Sequence, residues 1–225
     1  MKPITVLLAE DHTIVREGLL SLLKLESDIR IVAEAENGRQ AVALTNKLAP
    51  DVLVMDIAMP LLNGLEAARQ ILLTKTTTKI LILSAHSDDA YIEKVMALGA
   101  SGYLIKQSAF HVLPEAIRVV HGGKTYFSPS ISKRFSSLGK SALTRAGVTK
   151  PDADKLTPRE MEVLQLIAEG NANKMTADIL KISIKTVEKH RQSLMVKLNI
   201  HDAASLTRYA IANGIIESSV QVTIL

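Results

Sequence analysis

Asp51 to Pro60 reads DVLVMDIAMP, and the fold follows from how that stretch is interpreted. Val52 to Met55 is an apolar run bounded by polar and turn signals, the pattern of a strand buried on both faces. The run ends in Asp56. A carboxylate at the end of a buried strand has lost much of its water, and a buried charge is costly unless something compensates it. What surrounds Asp56 is therefore the first functional question.

Working outward, Ile4 to Ala9, Ile31 to Ala35, Ile80 to Leu83 and Gly102 to Ile105 have the same strand-like character. Helical patterns lie between them. Val15, Leu19, Leu22 and Leu23 share one face, as do Phe110, Leu113, Ile117 and Val120. Residues 38–48, 65–73 and 88–98 supply three more helices. Strands alternating with helices predict βαβ crossovers and a parallel sheet covered on both faces. Right-handed crossovers then favour an α/β, flavodoxin-like doubly wound five-stranded parallel sheet in the order 2-1-3-4-5.

That order makes a chemical prediction, because ligands bind beyond the carboxyl ends of the strands, at the switch point. Strand one ends in Glu10-Asp11, strand three in Asp56, strand four in Ser84 and strand five in Lys106. Three clustered carboxylates raise one another's pKa. A hard divalent cation resolves that conflict, and Mg²⁺ suits it best because it accepts carboxylates, waters and phosphate oxygens together. An amine and a hydroxyl at the same edge suit an incoming anion. The set describes phosphoryl transfer with a carboxylate as nucleophile.

These residues, with Asn63-Gly64, Ser84-Ala85, Gly99-Ala100, Tyr103 and Lys106, make the first half resemble the receiver domain of bacterial two-component response regulators. The resemblance implies that Asp56 accepts a phosphoryl group from a sensor histidine kinase. It implies that Glu10, Asp11 and Asp56, with the backbone carbonyl of Ala58, hold Mg²⁺. Ser84 and Tyr103 would then be the switch pair, the hydroxyl moving onto the phosphoryl group as the ring turns inward. Many receivers have proline after the lysine of strand five, whereas Gln107 follows Lys106 here. His12 and His86 read as solvated loop residues. The rival reading is a phosphatase with an aspartyl-phosphate intermediate. Haloacid-dehalogenase-type enzymes need an acid two residues after the nucleophile, and that position is Ala58. No nucleotide-binding glycine loop occurs either, so the chain is not expected to be an enzyme.

Charge divides the chain. Residues 1–121 carry net −2, residues 122–155 net +5, residues 156–213 net +2, and the rest net −1, giving +4 over 225 residues. An acidic first part and a basic second part suggest two domains, the second near a polyanion. No apolar run is long enough for a membrane span, no signal-peptide pattern opens the sequence, and cysteine is absent. A cytoplasmic protein without a membrane partner is expected. The boundaries drawn are a receiver over 1–122, a basic linker over 123–155 with a short helix near 130–138, a helical domain over 156–214 and a tail over 215–225.

In the second half, Thr157-Pro158-Arg159-Glu160 has the form of a capping box with proline at the first helical position. Val163, Leu164, Ile167 and Ala168 make that helix's apolar face, and Gly170 ends it. Further helices are expected over about 174–180, over 184–198 with Ser183 as cap, and from Asp202 to Ala212. On the third, Ile184, Val187, Leu194 and Leu198 should pack inward, leaving Lys185, Glu188, Lys189 and Gln192 outside. Those outer side chains can bond base edges in a major groove, and Arg191 suits a phosphate. The stretches LTPREMEVLQLIAEG and ISIKTVEKHRQSLMVKL closely match the LuxR-type helix–turn–helix. Together the halves resemble the NarL/FixJ type of response regulator, a DNA-binding transcription regulator. That resemblance implies that Lys185, Thr186, Glu188, Lys189, Arg191 and Gln192 face DNA, with Asn173 and Lys174 on its backbone. Phosphorylation would then change interdomain contacts, freeing the third helix of the second domain, or promote dimerisation, with a homodimer expected when phosphorylated or DNA-bound.

Overall fold

The computed structural model describes residues 2–74, 76–85, 92, 95–128, 131–132 and 156–216. The chain divides into two compact units, Met1–Val148 and Thr149–Leu225. In the first, β1 (Ile4–Ala9), α1 (Thr13–Leu23), β2 (Ile29–Ala35), α2 (Gly38–Leu48), β3 (Val52–Asp56), α3 (Gly64–Leu73), β4 (Lys79–Ser84), β5 (Gly102–Ile105), α4 (Lys106–His121) and β6 (Tyr126–Phe127) follow in order. The sheet runs β2-β1-β3-β4-β5-β6, with every neighbouring pair parallel. Both faces are covered. Leu7, Leu53 and Met55 point into one hydrophobic cluster, and Val6, Leu8, Val52 and Val54 into the other. That two-sided burial is why the strand at residues 52–55 is continuously apolar instead of alternating.

The sheet has six strands where five were expected. Tyr126 and Phe127 pair with Gly102 and Tyr103 at the outer edge. A two-residue strand is too short to leave a period-2 pattern, so it was hidden at the start of the stretch read as linker. Gly102 makes the pairing possible, since a Cβ there would lie 2.5 Å from the Tyr126 carbonyl oxygen. Ser128 extends the attachment. Its amide donates to the Tyr103 carbonyl at 3.0 Å, and its hydroxyl accepts from the Ile105 amide at 3.0 Å. Ile131 is fully buried in the same core as Tyr103.

The α1 face differs slightly from the expected one: Arg16, Leu19, Leu20 and Leu23 are its buried residues. Phe110, placed on the inward face of α4 by spacing, is 42% exposed. It lies against Gly18, where an added Cβ would come within 2.9 Å of its ring. The helix expected over 88–98 falls partly outside the described residues, as do His86, most of 123–155 and the tail beyond Ile216. Helix α4 begins at Lys106 itself, and no cis peptide bond occurs among the described residues.

The second unit is helical: α5 (Pro158–Ala168), α6 (Asn173–Leu180), α7 (Ile184–Leu198) and α8 (Ala203–Ala212). The capping box forms as read, with the Thr157 side chain accepting from the Glu160 amide and Glu160 accepting from the Thr157 amide at 2.7 Å. Ser183 caps α7 and Asp202 caps α8. Val163, Leu164, Leu166, Val187, Leu194, Leu206 and Ala210 are fully buried. Ile184 is not: it is 45% exposed, contrary to the inward placement. It is the first residue of α7, one turn before the helix reaches Val187 and the packed interior.

Candidate functional site

Strand register builds the first site. Ala9 pairs with Met55, so Glu10 and Asp56 leave neighbouring strands side by side. Asp56 pairs with Leu83, and Ser84 with Ile105, which puts Ser84 and Lys106 at the same edge. The loop after Asp56 is closed tightly. The Gly64 amide donates to the Ile57 carbonyl at 2.7 Å, and Asn63 caps α3 by accepting from the Glu66 amide at 2.9 Å. A Cβ on Gly64 would sit 2.0 Å from the Asp56 carbonyl oxygen, so only glycine permits this approach. Ala58 lies half-buried in that loop.

Glu10 and Asp56 are buried, at 0% and 1% exposure, while Asp11 is half-buried. One ligand atom from each of Glu10, Asp11, His12 and Asp56 falls within a 4.8 Å span. The Lys106 ammonium enters the cluster, 2.8 Å from Asp56 Oδ2 and 3.0 Å from Glu10 Oε2. Burial, reinforced by the Glu10 charge, pushes the Asp56 carboxyl up to about 7 despite the lysine. Burial pulls the Lys106 ammonium down, but Asp56 and Glu10 outweigh it and the net shift is upward. One cation is thus shared between two buried carboxylates, which leaves the cluster short of positive charge.

The donor set fits a hard divalent ion. It is oxygen-rich and buried, and Asp56 Oδ1 has no hydrogen-bond partner among the described residues. Ser84 is buried at the end of β4. Tyr103 is fully buried, its ring packed within the core on one side of the sheet.

Two further residues lie beside the cluster. His12 is exposed in the loop before α1, as expected, and its Nδ1 lies 3.0 Å from Asp11 Oδ1 and 3.2 Å from Glu10 Oε1. Burial lowers its pKa, yet the carboxylates raise it further, for a net upward shift. Arg16 is buried and donates to the Glu10 carbonyl at 2.7 Å. A signal for it existed: Arg16 falls at helical spacing from Leu19, Leu20 and Leu23, on the buried stripe of α1.

On α7, Lys185, Glu188, Lys189 and Gln192 are exposed, and Thr186 and Arg191 are half-buried. The Arg191 guanidinium donates to Asn173 Oδ1 at 3.2 Å, linking α7 to the start of α6, and Lys174 beside it is exposed. His190 is half-buried. The helix is held from behind by Glu160, which accepts from Ser193 Oγ and Lys197 Nζ, both at 2.6 Å. Burial raises the Glu160 carboxyl, but these donors and the Thr157 amide bring it down to about 2. In the sequence Glu160 carries only the signal of a capping residue.

A doubly wound sheet with an acidic pocket and lysine at its carboxyl edge, joined to a helix–turn–helix, defines a class of signal-responsive DNA-binding proteins. Comparison with known proteins gives the family. Residues 6–118 match the model of the response regulator receiver domain, and residues 154–210 that of the bacterial regulatory proteins of the luxR family. The transcriptional regulatory protein DegU of Brevibacillus brevis is 36% identical over 222 residues, covering 94% of each chain. LiaR of Bacillus subtilis (strain 168) is 36% identical over 213 residues, covering 95% of this chain and 99% of that one. Among solved structures, the RcsB response regulator of Salmonella typhimurium is 29% identical with a TM-score of 0.56, over 94% of this chain and 100% of its own. A complex of RcsB with DNA is 28% identical with a TM-score of 0.56, over 92% and 98%. The chain belongs to the NarL/FixJ-type response regulators, transcription regulators that join a receiver to a LuxR-type DNA-binding domain.

Proposed function

We propose that Asp56 is the phosphoacceptor of a sensor histidine kinase and that its phosphorylation changes how α7 engages promoter DNA. The observation that carries this reading is the buried Asp56 carboxylate, with one oxygen on Lys106 and the other unpartnered among the described residues, beside Glu10 and Asp11. An Asp56 oxygen attacks the phosphorus of the kinase phosphohistidine. The new P–O bond forms as the P–N bond breaks and the imidazole leaves. Glu10, Asp11, Asp56 and the Ala58 carbonyl would hold Mg²⁺, which supplies charge neutralisation for the phosphoryl oxygens. Lys106 then exchanges a carboxylate partner for a phosphoryl oxygen, and Ser84 donates to another. Tyr103, whose side chain is fully buried, completes the switch. The phosphoryl group acts as a signal and is not turned over on a separate substrate.

The phosphorylated state favours a homodimer that presents two α7 helices to half-sites about one helical turn apart, ~34–36 Å. Lys185, Thr186, Glu188, Lys189, Arg191 and Gln192 face the DNA, with Asn173 and Lys174 at its backbone. The protein acts in the cytoplasm, and no helix among its described residues is long and apolar enough to cross a membrane.

Labelling with acetyl phosphate and Mg²⁺, followed by DNA binding, tests this. Wild type should incorporate one phosphoryl group and bind promoter DNA more tightly, while Asp56→Ala should do neither. Labelling of Asp56→Ala at another residue would refute the site. Multiple turnover of a phosphate ester would favour a phosphatase instead.

A further inference from the structure

The structure assigns Arg16 the role of a positioning residue for the metal-binding loop, an assignment that rests on the phosphoacceptor reading above. Glu10 and Asp11 sit where β1 ends and the chain turns into α1. One backbone bond holds this corner from the sheet side, the Glu10 amide donating to the Ala35 carbonyl at 3.0 Å. From the helix side the hold comes through Arg16. Its Nη1 donates to the Glu10 carbonyl at 2.7 Å and lies 3.5 Å from the Asp11 carbonyl. Its Nη2 donates to Glu36 Oε1 at 2.9 Å, and its Nε lies 3.5 Å from Glu34 Oε2.

The arrangement is specific to a guanidinium. Nη1 reaches both carbonyls at this corner while Nη2 and Nε of the same rigid plane face two carboxylates; an ammonium is a single nitrogen and cannot do both. The side chain is only 10% exposed, so this is a fixed brace and not a solvated cation. Glu34 and Glu36 offset its charge from the side away from the site. The N–H groups can therefore hold the carbonyls of Glu10 and Asp11 without competing for their carboxylates. Groups that orient ligands in this way commonly set metal affinity as strongly as some ligands do.

Metal affinity provides the test, read directly on the full-length protein. Mn²⁺ binding is followed by loss of the free-ion paramagnetic resonance signal, Mg²⁺ binding by calorimetry, and acetyl-phosphate labelling across a Mg²⁺ titration. Arg16→Met keeps the apolar stem and removes every donor. It should weaken Mn²⁺ and Mg²⁺ binding roughly tenfold, and half-saturating Mg²⁺ for labelling should rise more than the limiting rate falls. General loss of structure would instead depress the limiting rate and the melting temperature together. Should Arg16→Met fail to fold, Arg16→Lys decides: several-fold weaker Mn²⁺ binding is expected, and wild-type affinity overturns the assignment. Folded Arg16→Met with wild-type affinity also overturns it. Asp11→Ala is the control for the site. If it loses Mn²⁺ binding while Arg16→Met does not, only the role of Arg16 falls. If neither variant loses it, the metal-site reading itself has failed.

Discussion

Lys106 Nζ stands 2.8 Å from Asp56 Oδ2, and the same ammonium lies 3.0 Å from Glu10 Oε2. Burial, with the neighbouring Glu10 charge, pushes the Asp56 carboxyl up to about 7 from an ordinary 3.8, and one cation shared between two carboxylates does not offset it. The cost of ionising it is borne by the folded state. Between pH 4 and 7 the metal-free folded protein holds a proton that the unfolded chain has released, so stability falls as pH rises through that window. Asp56→Asn removes this cost, and Lys106 keeps Glu10 as partner. Thermal melts without divalent cation should show Asp56→Asn more stable at pH 8, by on the order of 2 kcal/mol or ~4–8 °C. At pH 4 the difference should vanish. Equal melting temperatures at pH 8 would count against the buried, strained carboxylate.

Gly64→Ala should disable the pocket without touching a side chain in it. The new methyl would lie 2.0 Å from the Asp56 carbonyl oxygen, a backbone atom that cannot rotate away. The β3–α3 loop must shift and carry Asp56 with it. Displacement of about an ångström costs about a hundredfold in a positioned reaction, so labelling by acetyl phosphate should fall by about that factor. Normal labelling would mean the loop yields more easily than its packing implies.

Glu160 joins the capping box of α5 to the back of α7. Its folded carboxyl sits at about 2 against an ordinary 4.5. A depressed carboxylate contributes its full stability above the unfolded value and loses it as pH falls from 4.5 towards 2. Glu160→Gln should destabilise the helical domain by roughly 2 kcal/mol at pH 7, having lost charge-assisted bonds to Lys197 and Ser193. The gap to wild type should close on acidification through that window. Chemical denaturation followed by circular dichroism at pH 7 and pH 3 measures both, and a gap independent of pH would contradict the assignment.

Lys189 and Gln192 lie exposed on α7, as base readers must. Each should contribute about 1–3 kcal/mol of discrimination at its base pair when replaced by alanine. Binding selection on randomised DNA would reveal relaxed preference at one position per variant. Unchanged specificity would remove them as readers and leave them as part of a solvated face.

Much of this was legible in the linear chain. The apolar run ending in Asp56 and the alternation of strand and helix patterns led to the doubly wound sheet. That topology alone gathers Glu10, Asp56, Ser84 and Lys106 at one edge, because parallel strands all end on the same side. The capping chemistry of Thr157, Ser183 and Asp202 is local and was readable for the same reason.

Tertiary structure alone decided the rest. Strand β6 exists because an edge was open beside Gly102, and nothing in Tyr126-Phe127 announces that. Ile184 reads as a core residue by spacing but lies beyond the packed interior. Arg16, His12 and Glu160 gain their meanings from partners up to twenty, two and thirty-seven residues away. Periodicity specifies which face a side chain occupies. Which polar group meets it there depends on how separate elements pack, and only the folded chain brings them within hydrogen-bonding distance.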